Sequence, residues 1–276
     1  MKVDAHQHFW RIDDELYDWI DDSISGIRRD YQLDHLLPYL DHFKIDKTIL
    51  VQAAEDVREN QHMLKIAEGS DRIGGIVAWV DLEKDQADTF KTFANDHKII
   101  KGIRPVLQAI EDSNWILQDN VLQNLAKLGD NGLHFEALIQ PRHLTAVMEL
   151  ALQFPDLPIV INHAAKPVFS ELGMTTRAWF DGMDKLASRK NVSCKFSGLA
   201  TEFGPGWSAG ALTDIVTHLM NGFGADRLMW GSDWPVLELD GSYPQWHGVS
   251  QQLFSEYSDK DRAKVVGETA QKFYRI

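Results

Sequence analysis

Short apolar segments recur along the whole chain, and their number restricts the fold more than any other feature of the sequence. There are eight of them, at residues 2–8, 48–52, 75–80, 102–106, 134–139, 158–163, 192–197 and 227–232. Strands of a parallel sheet are covered on both faces and therefore appear as nearly continuous apolar runs. The sequence thus predicts eight buried parallel strands.

Segments with helical periodicity fill most of the intervals between these runs. They are residues 57–69, 86–96, 120–129, 144–154, 177–188 and 209–223, and helices at 254–257 and 259–273 are expected to close the chain. Most repeats are close to the ~30 residues of a βαβ unit. Eight units predict an α/β fold, the (β/α)8 TIM barrel, since a doubly wound open sheet usually has fewer strands. No flexible linker interrupts the pattern, so we expect a single domain over residues 1–276.

Composition limits the partners of such a barrel. The chain has 41 acidic and 28 basic residues and a formal net charge of −13, with no run of Lys or Arg. This charge argues against nucleic acid and anionic membranes and leaves a small-molecule substrate. No apolar run approaches the ~18 residues of a membrane span, and no leader peptide is recognisable. Because Cys194 is the only cysteine, we expect a cytoplasmic protein. The oligomeric state, a homo-oligomer included, is left open.

Two histidines stand at the end of the first predicted strand. Alternate side chains of a strand share a face, so His6 and His8 are expected to point the same way. Such a pair is suited to binding a metal ion or to handling protons near neutral pH. Two more polar residues, His163 and Asp233, end the sixth and eighth predicted strands. A barrel brings these distant tips together because it closes the eighth strand onto the first.

The same segments carry a family resemblance that covers nearly the whole chain. They are Asp4-Ala5-His6-Gln7-His8-Phe9-Trp10, Lys101-Gly102-Ile103-Arg104, Asn162-His163-Ala164-Ala165-Lys166-Pro167, Lys195-Phe196-Ser197-Gly198-Leu199 and Trp230-Gly231-Ser232-Asp233-Trp234-Pro235. With these motifs the chain resembles the amidohydrolase superfamily, and within it the sugar-lactone hydrolases of the L-fuconolactonase and L-rhamnonolactonase types. The resemblance implies hydrolysis of an aldonolactone to its hydroxy acid.

The resemblance leaves the metal content open. Family members that bind zinc firmly usually add a histidine or a modified lysine at the tip of strand five, and residues 135–140 offer neither. His6, His8, His163 and Asp233 remain as ligands for one divalent cation, zinc or manganese. The alternative is a metal-independent site in which the same histidines bind the carbonyl through hydrogen bonds.

Lactone hydrolysis needs an activated water and a polarised carbonyl. We expect Asp233, held near His163, to be the general base. The carbonyl is expected to be polarised by His6, His8 and His163 together with Arg104. A guanidinium would bind both the developing oxyanion and the carboxylate of the product. The alternative for Arg104 is a structural ion pair, for example with Glu136.

Four further residues are predicted to bind substrate. Lys166 and Lys195 could contact its hydroxyl groups or could neutralise buried carboxylates, while Trp10 and Trp234 could stack on a sugar ring or anchor loops. Trp10 begins the long irregular stretch 10–31, which follows the first strand and would form a wall of the pocket. Two other functions are weighed against the lactonase: a metal-dependent decarboxylase of an unsaturated or aromatic acid, and an inactive binding protein.

Overall fold

Eight parallel strands form one sheet in the computed structural model, which describes residues 1–12, 15–170 and 175–276. The strands are β1 (Val3–Gln7), β2 (Lys47–Val51), β3 (Ile73–Ala78), β4 (Ile100–Ile103), β5 (His134–Ala137), β6 (Ile159–Ile161), β7 (Val192–Phe196) and β8 (Leu228–Trp230). Each lies in or overlaps one of the predicted apolar runs, and strand order follows sequence order. The prediction of eight parallel strands is confirmed.

The two ends of the sheet meet through backbone hydrogen bonds just beyond β8. The amide of Asp233 donates to the carbonyl of His6 at 2.8 Å, and the amide of His8 donates to the carbonyl of Trp234 at 2.8 Å. The sheet is therefore a nearly closed (β/α)8 barrel, in which the tips of β1 and β8 are neighbours.

Helices surround the barrel and connect its strands. They are α1 (Leu33–Phe43), α2 (Val57–Glu68), α3 (Ala87–Asn95), α4 (Asp119–Asp130), α5 (Leu144–Gln153), α6 (Arg177–Ala187), α7 (Leu199–Phe203), α8 (Ala209–Phe223), α9 (Tyr243–Phe254), α10 (Asp259–Ala263) and α11 (Thr269–Tyr274). The six predicted inter-strand helices agree with α2 to α6 and α8 to within two residues at each end. Among the described residues, none of the helices combines the length and apolar character that a bilayer-spanning segment requires.

The C-terminal helices differ from the prediction. The helix expected at 254–257 lies earlier in the chain, since α9 ends at Phe254. It begins after Ser242, whose side chain accepts a hydrogen bond from the amide of Gln245. The segment 259–273 is helical but divided, with a π-helical turn, Lys264–Glu268, between α10 and α11. In that turn Gly267 packs closely against Met1, since a Cβ built on it would lie 2.1 Å from the Met1 carbonyl oxygen.

One end of the barrel is filled and the other carries the loops. Inside the barrel, Val3, Ala5 and Met229 pack with Ala270 and Tyr274 of α11, which closes the N-terminal end of the strands. Polar residues at the C-terminal tips face the opposite end, as in other barrels of this type. The irregular stretch 10–31 lies at that end; its positions 13 and 14 are outside the described residues.

Candidate active site

Three histidine rings converge on one carboxylate oxygen at the C-terminal end of the barrel. Oδ1 of Asp233 lies 3.6 Å from Nε2 of His6, 3.4 Å from Nε2 of His8 and 3.7 Å from Nε2 of His163. All four side chains are buried. These contacts are longer than ordinary hydrogen bonds, and Oδ1 has no hydrogen-bond partner among the described residues. A buried carboxylate oxygen is thus left free for a water or a cation.

Hydrogen bonds on the far side of two rings fix their orientation. Nδ1 of His8 donates to the carbonyl oxygen of Val51 at 2.8 Å, so the neutral ring presents a lone pair on Nε2 towards Asp233. Nδ1 of His163 lies 2.9 Å from Oγ of Ser197. Two acceptors, the His8 ring and the carboxylate, therefore face each other, an arrangement that suits a water hydrogen or a metal ion between them.

His6 lies between two cationic side chains. Nζ of Lys195 is 3.3 Å from its Nδ1, and Nη1 of Arg104 is 3.2 Å from its Nε2. Both cations only donate and a neutral imidazole has one lone pair, so His6 accepts either from Lys195, with its hydrogen on Nε2, or from Arg104, with its hydrogen on Nδ1. In the first form Nε2 of His6 donates to Nε2 of His8 at 3.2 Å, and in the second form the lone pair of His8 stays free.

On the side opposite His6, Lys195 forms a buried ion pair with Glu136. Its Nζ is 2.7 Å from Oε2 of Glu136, and both side chains are fully buried. The Tyr274 hydroxyl, at the end of α11, donates to Oε1 of the same carboxylate at 2.6 Å. Asn162 links the pair to Arg104, since its Nδ2 donates to Glu136 at 2.9 Å and its Oδ1 accepts from Arg104 at 3.3 Å. One hydrogen-bonded network thus extends from the C-terminal helix to the catalytic end.

Burial and neighbouring charges set the protonation states. Burial lowers the pKa of His163 to about 3, and burial together with Lys195 places the pKa of His6 well below its usual value. Burial raises the pKa of Asp233, but His163 and His8 outweigh it and the pKa lies below its ordinary value. At neutral pH the site therefore contains neutral histidines around an ionised carboxylate.

The backbone at two of these tips adopts an uncommon conformation. His163 has φ of 50° and Asp233 has φ of 59°, in the left-handed region that side chains other than glycine rarely occupy. Gly198, with φ of 68°, lies against the His163 ring, and a Cβ there would come within 2.5 Å of its Nδ1. Strained backbone concentrates at functional sites, where the surrounding structure imposes it.

The number of ligand atoms and their chemical types suit one divalent cation at this site. His6, His8 and Asp233 each offer a ligand atom, and these atoms lie within 4.8 Å of one another. The free oxygen of Asp233 and the lone pair of His8 are suitable donors. His6 would have to be in the form with its hydrogen on Nδ1, the nitrogen that faces the Lys195 ammonium. His134, the histidine of β5, is at the other end of that strand and contacts the ring of Tyr274.

A cavity of about 630 Å³ opens above the cluster. His8, His163, Asp233 and Arg104 line its inner end. This volume is within the usual range for small-molecule sites. The cluster is therefore accessible to a substrate of the size of a monosaccharide.

The structure brings together five of the predicted residues, His6, His8, His163, Asp233 and Arg104. The ion pair that the sequence suggested between Arg104 and Glu136 is not formed. Instead Arg104 contacts Glu136 only through Asn162, while its Nη2 donates to Oε1 of Gln52 at 3.2 Å.

The four predicted substrate contacts have different surroundings. Lys166 lines the cavity but pairs with Glu202 at 2.6 Å. Lys195 is buried under His6, so it neutralises a carboxylate and has no access to substrate hydroxyls. Trp10 and Trp234 are buried too and do not line the cavity. Their indole N–H groups donate to the carbonyl of Arg29 and to Oε1 of Glu238, both at 2.9 Å, contacts that suit loop anchors.

The stretch 10–31 contributes to the wall of the cavity as expected, but the sequence singled out neither Trp19 within it nor Glu55, and both line its outer part. Glu55 could have been found, because it follows the end of β2 by four residues and therefore belongs to the catalytic face. Trp19 had no such signal, since nothing in the irregular stretch distinguishes an exposed tryptophan from a buried one.

Comparisons with known proteins agree with this geometry. The sequence matches the amidohydrolase family over residues 3–276. It is 37% identical to an L-fucono-1,5-lactonase of Burkholderia ambifaria over 281 residues, with 100% of this chain and 96% of the relative covered. An amidohydrolase of Burkholderia multivorans, solved with bound zinc, superimposes with a TM-score of 0.92 at 29% identity and covers 100% of this chain and 99% of its own.

A more distant structure shares the fold alone. The 2,6-dihydroxybenzoate decarboxylase from Rhizobium has a TM-score of 0.67 at 14% identity, with 99% of this chain and 98% of that chain covered. Identity this low carries no information on the reaction. The match over residues 3–276 and the full-length relative decide the classification: the chain belongs to the amidohydrolase family.

Proposed function

We propose that the protein is a hydrolase that opens the ester bond of a sugar lactone to give the hydroxy acid. The observation that carries this proposal is the free Oδ1 of Asp233, an ionised carboxylate oxygen directed at three neutral histidines beside the Arg104 guanidinium. The L-fucono-1,5-lactonase activity in the name of the relative at 37% identity supports a sugar lactone as substrate.

Asp233 is suited to act as general base towards a water molecule. Its carboxylate is ionised at neutral pH, and Oδ1 is free to accept a hydrogen. As Asp233 takes the proton, the water oxygen bonds to the carbonyl carbon of the lactone. The ring C–O bond then breaks, and the proton passes from Asp233 to the leaving alkoxide. The product is the hydroxy acid, whose new carboxyl group then releases its proton to the solvent at neutral pH.

Arg104 is suited to stabilise the charge that develops on the carbonyl oxygen. It is buried at the inner end of the cavity and forms no ion pair among the described residues, so its charge is available. In a site with little water, a fixed cation stabilises an oxyanion strongly. His163 lines the same end and can contribute a polar contact from Nε2.

A divalent cation, zinc or manganese, would be held by His6, His8 and Asp233 with His163 nearby. When bound there it would polarise the carbonyl and lower the pKa of a bound water. Fixed hydrogen bonds and the charge of Arg104 supply a metal-independent alternative, and the chain residues keep the same roles in both cases.

The proposed function can be tested with the purified protein, a panel of aldono-1,5-lactones and a pH indicator. Ester hydrolysis releases a proton, so the expected result is acidification, with the hydroxy acid as the only product. The same assay with 2,6-dihydroxybenzoate covers the alternative, because decarboxylation consumes a proton. Turnover of that acid without turnover of any lactone would overturn the proposal. A cytoplasmic location agrees with the buried, unpaired Cys194 and belongs to the same proposal.

A further inference from the structure

The cavity has two chemically different parts. Its inner end contains the catalytic cluster and Arg104, whereas its outer part is lined by Trp19 and by the carboxylates Asp18 and Glu55. The outer part cannot take part in ester hydrolysis at the inner end. It can, however, contact the rest of a substrate whose carbonyl is bound beside Asp233.

Trp19 is an oriented apolar surface at this outer part. The residue is 42% exposed, an unusual value for a tryptophan. Its indole N–H donates to the carbonyl of Ala53 at 2.8 Å, and its ring packs edge to face on Trp10, 5.6 Å between centroids. The ring is therefore held in one orientation, so a ligand that stacks on it loses little conformational entropy of the side chain.

Glu55 supplies hydrogen-bond acceptors at the same part. Its carboxylate interacts with the Trp79 side chain and the amide of Val106, which fix its position, and partial burial raises its pKa. A fixed carboxylate accepts hydrogen bonds from hydroxyl groups. It therefore attracts an uncharged compound that carries hydroxyls and repels an anion.

The charges of the outer lining also argue against an anionic substrate. Arg58 is paired with Asp56 at 2.7 Å, whereas Glu55 and Asp18 have no cationic partner within ion-pair distance among the described residues. Unpaired carboxylates in a cavity create a negative potential. A substrate with its own carboxylate would meet this potential before it reached Arg104.

We propose that Trp19 and Glu55 form the recognition surface of this site and select an uncharged lactone with free hydroxyl groups over lactones that lack hydroxyls or carry a carboxylate. The inference rests on the proposed function, because it takes the inner end to be the place of ester hydrolysis. Trp19 stacks on the apolar face of the sugar ring, and Glu55 accepts hydrogen bonds from its hydroxyls.

The kinetic test compares three substrates with the same six-membered ring: a neutral aldono-1,5-lactone, unsubstituted δ-valerolactone and a lactone bearing a carboxylate. Glu55→Gln should lower kcat/KM for the neutral sugar lactone by about 10- to 100-fold, mostly through KM, and leave δ-valerolactone unchanged. Glu55→Gln should also reduce the ratio of kcat/KM for the neutral sugar lactone to kcat/KM for the anionic lactone. Trp19→Ala should lower kcat/KM for the sugar lactone, and Trp19→Phe should restore most of it. Glu256 is an exposed carboxylate outside this cavity, so Glu256→Gln is the control for the change in net charge.

A binding measurement separates this inference from the proposed function. A sugar lactam with the same ring and hydroxyls, which a lactonase does not readily open, is titrated into the intact protein by calorimetry. Binding that weakens in Glu55→Gln and Trp19→Ala supports the recognition surface even if no lactone is hydrolysed. Equal effects of both substitutions on the sugar lactone and δ-valerolactone, or lactam binding that neither substitution changes, would overturn it.

Discussion

Lys195 contacts His6 inside the barrel although neither side chain reaches solvent: Nζ of the lysine is 3.3 Å from Nδ1 of the imidazole. The contact favours the form of His6 with its hydrogen on Nε2, in competition with Arg104, which also only donates and is 3.2 Å from Nε2. Glu136, 2.7 Å from Lys195 on the other side, balances the buried charge. The ion pair is therefore coupled to the catalytic end through a single imidazole.

Removing one partner of this pair should destabilise the protein, and removing both should separate stability from activity. Lys195→Met leaves Glu136 as an uncompensated buried charge, which costs about 3–5 kcal/mol of unfolding free energy. The double variant Lys195→Met, Glu136→Gln should recover most of that stability but not the turnover, because His6 has lost its Nδ1 partner. Thermal melting and lactone turnover of the three proteins decide this. Full activity in the double variant would show that the pair is only structural.

Asp233→Asn should abolish the general base while the side chain keeps its size. We expect turnover to fall by a factor on the order of 10² to 10⁴, since an amide cannot accept the proton of the water. The thermal midpoint should change little, because Oδ1 has no hydrogen-bond partner to lose among the described residues. Turnover within a few-fold of the wild type on the best lactone would exclude Asp233 from the mechanism.

Arg104→Lys should be harmful although it keeps the positive charge. An ammonium cannot reproduce the planar contacts of a guanidinium, so kcat/KM should fall about 10- to 100-fold, or about 1.4 to 2.8 kcal/mol of transition-state stabilisation. Steady-state kinetics and melting of Arg104→Lys and Arg104→Ala provide the measurement. A purely structural arginine predicts the opposite pattern, with Lys tolerated in catalysis and Ala destabilising the fold.

Gly198→Ala should affect catalysis through His163. Its Cβ would lie 2.5 Å from Nδ1 of that ring, so the ring has to move away from Asp233. Gly204→Ala is the matched control, because Gly204 also has a positive φ, 79°, but nothing within 4 Å of the added atom. Both variants should lose stability from backbone strain, about 1–2 kcal/mol at the left-handed Gly198 and about 1–3 kcal/mol at Gly204, where ψ is −161°. Only Gly198→Ala should lose turnover, by about 10-fold or more. Equal activity of the two variants would contradict this role of His163.

Prolonged treatment with a chelator should leave most of the lactone hydrolysis intact. The positive charges of Lys195, 3.3 Å from Nδ1 of His6, and of Arg104, 3.2 Å from its Nε2, both weaken cation binding at this ring. Metal analysis of the treated protein and its remaining turnover are the measurements. Complete loss of activity that one equivalent of zinc or manganese restores would instead assign His6, His8 and Asp233 as essential ligands.

The sequence predicted the strands and their tips well because these depend on local features. An apolar run is sufficient to identify a buried strand, and the closure of a barrel then brings His6 next to Asp233 whatever the loops do. The surroundings of Lys195 were also within reach. It stands at mid-strand in an apolar run, as does Glu136, and two opposite charges that both point into a barrel have to pair.

The tryptophans could not be assigned in the same way. Whether an indole lies in the cavity depends on which residues of a long loop it packs against, and this is a tertiary property. Trp10 and Trp234 both contact Tyr31, with ring centroids 5.3 and 5.1 Å apart, and are buried there, which leaves Trp19 as the exposed ring. The local sequence around these residues contains no periodicity from which this division could be read.

The hydrogen bond from Tyr274 to Glu136 has a consequence for folding, because the two residues are 138 positions apart in the sequence. The buried Glu136–Lys195 pair gains its hydroxyl partner only when α11 has docked on the N-terminal end of the barrel. Since Lys195 contacts His6, docking of this helix at one end of the barrel is coupled to the surroundings of an active-site imidazole at the other.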